Sequence, residues 1–112
     1  MQPLPDTLCY LNGEYGPLRD AKVSVLDRGF VFGDGIYEVV PAYEGKLFRF
    51  DEHMARLQRS LGKLRIANPH SRDGWLALVR ALVADQPAEG RRQLGHGFTG
   101  VRPLERGVDR RF

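Results

Sequence analysis

One cysteine, three lysines, no pair of metal-ligating residues at the right spacing and no long apolar run mark this 112-residue sequence. Each scarcity excludes something. Cys9 alone forms no internal disulfide and no cysteine-based zinc site, and reads as a small core residue. His53 has no second His or Cys at ligand spacing, so no metal centre is expected. Apolar runs last only a handful of residues against the ~20 that span a bilayer, which argues against membrane insertion. The opening Met1-Gln2-Pro3-Leu4-Pro5-Asp6 has neither the basic nor the apolar region of a secretory signal, so a cytoplasmic location is the default expectation. The formal charge is +3, yet residues 1–90 carry eleven Lys/Arg against twelve Asp/Glu and residues 91–112 carry six Arg against two acidic residues. Basic character therefore belongs to the tail. A phosphate-backbone surface would spread Lys and Arg along one face with aromatics between them, and nucleic-acid binding is not expected.

What is present suits one modest domain. Residues 7–50 alternate short apolar runs with turn signals, the pattern of an antiparallel sheet. Leu8-Cys9-Tyr10-Leu11 leads into Asn12-Gly13, which accepts the positive φ angles of a hairpin turn. Ala21–Leu26 is a second strand candidate. Ile36–Val40 continues to Tyr43, with Pro41 favouring an edge or a bulge, and Glu44-Gly45 turns the chain into Lys46–Phe50. From Asp51, placed as an N-cap, Met54, Leu57, Leu61 and Leu64 recur at helical steps over 51–64. Pro69 and Ser71 punctuate the chain before a second helix marked by Trp75, Leu78, Val79, Leu82 and Val83, running to about Gln86. The fold class expected is α+β, an antiparallel sheet followed by two helices, over residues 1–88. Residues 89–112 read as an irregular Arg/Gly-rich tail.

Two clusters stand out. Asp27-Arg28-Gly29-Phe30-Val31-Phe32-Gly33-Asp34-Gly35-Ile36-Tyr37-Glu38 places three glycines in seven positions, where a backbone needs positive φ or a close approach. It leads into no clear helix and no lysine follows, so it is not a nucleotide-binding glycine loop; a tight turn between strands is the plain reading. Asp51-Glu52-His53-Met54-Ala55-Arg56-Leu57 sets Arg56 beside the apolar stripe, where it either stays solvated or turns inward as a planar fork to a phosphate or carboxylate. His53 is either a proton carrier or a structural side chain near the helix start.

Taken with Tyr10-Leu11-Asn12-Gly13 and Leu47-Phe48-Arg49-Phe50, the two clusters resemble, in order and over residues 8 to about 86, the N-terminal small domain of fold-type IV (class IV) pyridoxal-phosphate aminotransferases, above all the D-amino acid (D-alanine) transaminases. The resemblance implies an enzyme that exchanges an amino group between a D-amino acid and a 2-oxo acid through pyridoxal 5'-phosphate, typically as a homodimer. It implies that Arg56 contacts the cofactor phosphate and that Tyr37 faces the substrate, where its hydroxyl meets a substrate carboxylate. Branched-chain transaminases and aminodeoxychorismate lyases of the same fold more often carry Phe at that place.

The pattern breaks in two respects. Lys22, Lys46 and Lys63 do not fall where the family keeps its Schiff-base lysine, so the chain as it stands is expected not to transaminate. Relatives continue into a strand of the type Val-Tyr-Leu-Gln-Val-Thr-Arg-Gly and then a carboxylate-binding loop. Here Arg91–Gly100 has neither the alternation nor the β-branched residues of a buried strand. The stretch Val101–Arg106 partly recovers the loop, with Arg106 as a substrate-carboxylate ligand. A frame change near residue 91 followed by early termination accounts for both departures, and such a truncated domain is expected to be marginally stable and to aggregate through its exposed cleft face. The rival readings are another class IV enzyme, or a non-catalytic module whose Arg91, Arg92, Arg110 and Arg111 bind a polyanion with steep salt dependence.

Overall fold

A computed structural model describes residues 7–85 and, as backbone, residues 95–99. Strands β1 (Leu8–Leu11) and β2 (Glu14–Pro17) form a two-stranded antiparallel hairpin with Tyr10 opposite Tyr15. Its turn is the one the sequence announces: Asn12 and Gly13 sit at φ 51° and 90°, the doubly left-handed geometry that matches the twist of the flanking strands. A short 3-10 turn, Leu18–Asp20, follows.

No strand forms over residues 21–26, contrary to the expectation for Ala21–Leu26. Val23, Val25 and Leu26 are exposed, and alternation without a neighbouring strand to pair with does not hold an extended segment in a sheet. The glycine-rich cluster holds one helical turn, α1 (Arg28–Val31), capped by Asp27, whose carboxylate accepts from Gly29 N at 2.8 Å. A Cβ at position 29 would stand 2.9 Å from that carboxylate oxygen, so the glycine is there for a close approach. Arg28 closes the loop with a 2.8 Å ion pair to Asp34.

Strand β3 (Glu38–Tyr43) is central in a three-stranded sheet, between β4 (Lys46–Leu47) and β5 (Gly95–Thr99). This corrects the edge placement drawn from Pro41. The Pro41 carbonyl accepts from Phe48 N at 2.8 Å, so the N–H that proline lacks would have pointed to the same side. There β4 (Lys46–Leu47) ends: the return bond of the Pro41–Phe48 pair is the one proline cannot make, so its cost falls at the end of the short β3–β4 ladder and not on the opposite side of β3. The second hairpin strand is thus two residues long, and Phe50, read as its last residue, instead opens α2 (Phe50–Lys63) and is buried. Asp51 is not the N-cap: Arg49 holds that place in the left-handed region at φ 52° with no side-chain cap. Asp51 lies in the first turn and bonds Arg72. Arg72 opens α3 (Arg72–Ala84), whose N-cap Ser71 accepts from Gly74 N at 3.1 Å.

The helices pack on β3 because their apolar residues recur every three or four positions while those of β3 recur every two. Val40 and Ala42 from β3, Phe50, Leu57 and Leu61 from α2, and Trp75, Leu78, Val79 and Val83 from α3 make one buried cluster. Trp75 donates its indole N–H to Asn68 at 2.7 Å, so the ring is buried without an orphaned donor. Strand β5 (Gly95–Thr99) pairs antiparallel with β3 from Glu38 opposite Thr99 to Ala42 opposite Gly95. The segment read as lacking strand character therefore contains a strand. Backbone pairing along the whole free side of β3 outweighs its poor β-propensity. Among the described residues no helix is long and apolar enough to cross a membrane.

Candidate active site

Glu38 begins the buried face of β3. In register with Val40 and Ala42 it points toward the helices and is 4% exposed. A carboxylate in that position is stable only if fully partnered. Two residues of α2, one turn apart on the face toward β3, supply the partners. Arg56 lays the side of its fork on the carboxylate, Nε to Oε1 and Nη2 to Oε2, the latter at 2.8 Å. His53 Nδ1 lies 2.9 Å from the same Oε2. A carboxylate only accepts, so in the neutral ring Nδ1 carries the hydrogen and Nε2 keeps the lone pair. The 3.4 Å approach of Arg56 Nη2 to His53 Nδ1 then joins two donors and is packing rather than a hydrogen bond.

Burial by itself would raise the Glu38 carboxyl. The hydrogen bonds from Arg56 and His53, with their charges, outweigh it and hold the group below its ordinary value. Arg56 is raised in turn by its hydrogen bonds to Glu38 and by the carboxylate's charge. The arginine side chain stays 58% exposed. Of five guanidinium N–H groups, two are committed to Glu38, which leaves the others for a ligand.

Tyr37, adjacent to Glu38, is 72% exposed, and its phenol lies within electrostatic reach of Arg56. The structure brings Arg56, Glu38 and His53 into direct contact, and Tyr37 adjoins them as the chain neighbour of Glu38. Arg106, the third expected ligand, lies outside the described residues. Lys22 sits in the loop before α1 and Lys46 on β4. Lys63 ends α2, seven residues or about 10 Å from Arg56 along the axis. Among the described residues no group of three His, Cys, Asp or Glu is placed to hold a metal ion. Sequence reasoning left Glu38 without a role. The available signal was a charged residue in phase with the buried alternation of β3.

A β-hairpin and short antiparallel sheet backed by two helices, with an arginine fork on a buried glutamate, correspond to a known kind of domain. The family model for class IV amino-transferases matches residues 35–103, and the chain belongs to that family. The match runs past residue 91, where the composition suggests a loss of frame. Among curated proteins, the chain is 44% identical over 79 residues to a D-alanine aminotransferase of Staphylococcus epidermidis, which covers 70% of this chain and 28% of that protein. It is 43% identical over 77 residues to the D-alanine aminotransferase of Staphylococcus haemolyticus, with coverage of 69% and 27%. With that of Listeria innocua it shares 48% over 67 residues, with coverage of 60% and 23%. The chain thus spans less than a third of the length of the curated relatives it matches.

Proposed function

We propose that this chain is the phosphate-gripping small domain of a D-amino acid transaminase, an enzyme that moves an amino group between a D-amino acid such as D-alanine and a 2-oxo acid. The observation that carries the reading is the Arg56 fork: it is seated on Glu38 and more than half exposed, so its remaining N–H groups are open to a ligand. Its donor set fits the phosphate of pyridoxal 5'-phosphate, since a planar fork meets two phosphate oxygens at once. The relatives named D-alanine aminotransferase support the substrate class.

When bound, pyridoxal 5'-phosphate supplies the carbonyl carbon and electron-accepting ring of the transfer. The residues of this chain bind and orient. Arg56 holds the phosphate end, and Tyr37 offers a hydroxyl on a rigid ring to the substrate carboxylate. Arg106 is proposed as a further donor to that carboxylate. The working enzyme is proposed to be a homodimer. None of Lys22, Lys46 and Lys63 is proposed to hold the cofactor, and amino transfer by these 112 residues alone is not expected.

The test is a titration of the full chain with pyridoxine 5'-phosphate, which lacks the aldehyde and cannot react with surface lysines. Pyridoxine without the phosphate is the control. The reading predicts phosphate-dependent binding, weakened about tenfold or more in Arg56→Ala, the loss expected for a charged hydrogen-bond donor. Equal binding of both compounds, or no effect of Arg56→Ala, contradicts it.

A further inference from the structure

The tie between Glu38, His53 and Arg56 says more than that an arginine is available. An arginine on the open face of a helix samples many rotamers, and a ligand that needs it must give up that freedom on binding. Here the freedom is removed in advance. Both Nε and Nη2 lie on one carboxylate, so the guanidinium plane is set by two bonds rather than one. The carboxylate itself cannot swing away, because it is buried on β3 and its Oε2 takes a third donor from His53. The charges matter as much as the directions. Glu38 sets a negative charge directly against the positive charge of Arg56.

We propose that Glu38, braced by His53, is a positioning residue for Arg56: it locks the guanidinium and cancels its charge, so that the site selects a phosphate monoester by the direction of its N–H groups rather than by net charge. The proposal rests on the reading of Arg56 as the phosphate ligand. An uncompensated arginine would take any anion and lose it to salt. A compensated, oriented one favours a tetrahedral anion that matches the one free edge, Nη1 with Nη2.

The lock is read directly from the Arg56 guanidinium by nuclear magnetic resonance of the full chain without ligand. Hindered rotation about the Nε–Cζ bond keeps the two Nη groups distinct in the wild type, and Glu38→Gln merges them. His53→Asn, whose amide nitrogen takes the place of Nδ1, keeps them distinct, and His53→Leu moves them toward merging. A freely rotating Arg56 in the wild type, or rotation unchanged in Glu38→Gln, overturns the proposal. Should Glu38→Gln fail to fold, the two His53 variants decide: identical rotation in both overturns it.

The consequence for binding is read with pyridoxine 5'-phosphate at low and high salt. Glu38→Gln is expected to weaken binding about tenfold at high salt, while at low salt the uncompensated charge offsets part of the loss, so the salt dependence steepens. Wild-type affinity and salt dependence in Glu38→Gln overturn the proposal. If Arg56→Ala leaves affinity unchanged, the phosphate reading has failed, and the rotation measurement still judges the lock on its own.

Discussion

At the scale of residues, the site is governed by one buried charge. Glu38 is held below its ordinary carboxyl value of 4.5 in the folded chain, burial being outweighed by Arg56 and His53. The unfolded chain therefore takes up the proton first on acidification. The stability that Glu38 contributes is present in full above about 4.5 and is lost as pH falls from there through the lower folded value. Thermal midpoints followed from neutrality into that acid range should fall for the wild type and fall less for Glu38→Gln. The variant keeps some dependence, because Asp51 is also lowered, by its hydrogen bond to Arg72. An equally steep fall in both proteins would remove Glu38 from the account. The sequence singles out Arg56 and Tyr37 because their neighbours form recognisable strings. The Glu38 contacts are not legible there, since they join residues 15 and 18 positions apart, and only the packing of α2 on β3 brings them within reach.

Elements followed local chemistry where local chemistry was decisive. The Asn12-Gly13 turn, the two helices and the β3–β4 turn at Glu44-Gly45, with φ 50° and 77°, were all readable from turn residues and periodicity. Placement of Asp51 as an N-cap failed because Phe50 packs into the core and draws the N-cap two residues earlier, to Arg49. Ala21–Leu26 failed because alternation does not supply a partner, and Gly95–Thr99 because a partner strand overrides poor propensity. Leu61 on α2 is fully buried in the seam where α2, α3 and β3 share one cluster. Leu61→Ala should destabilise the fold by about 3 kcal/mol, the lost transfer energy plus the cavity left behind. Chemical denaturation measures it. A loss under about 1 kcal/mol would mean that the seam is looser than the core packing implies.

For the whole molecule, the described residues split into a well-packed half and an open one. The core gathers between β3 and the helices, while Val25, Leu26, Phe30, Phe32 and Tyr37 stand in solvent along one stretch of chain, Leu26 at 81% exposure. So much exposed apolar surface favours association. Sedimentation should show mass rising with concentration; a concentration-independent monomer with a reversible melt would contradict this. The central claim is that Arg56 is a phosphate grip, and the rival is a basic tail that binds anions without selectivity. Mapping pyridoxine 5'-phosphate onto the isotope-labelled full chain separates them most directly. The account predicts the largest shifts at Tyr37, Glu38, His53 and Arg56, absent when pyridoxine replaces its phosphate. Shifts centred on Arg91, Arg92, Arg110 and Arg111, with α2 unmoved, would contradict it.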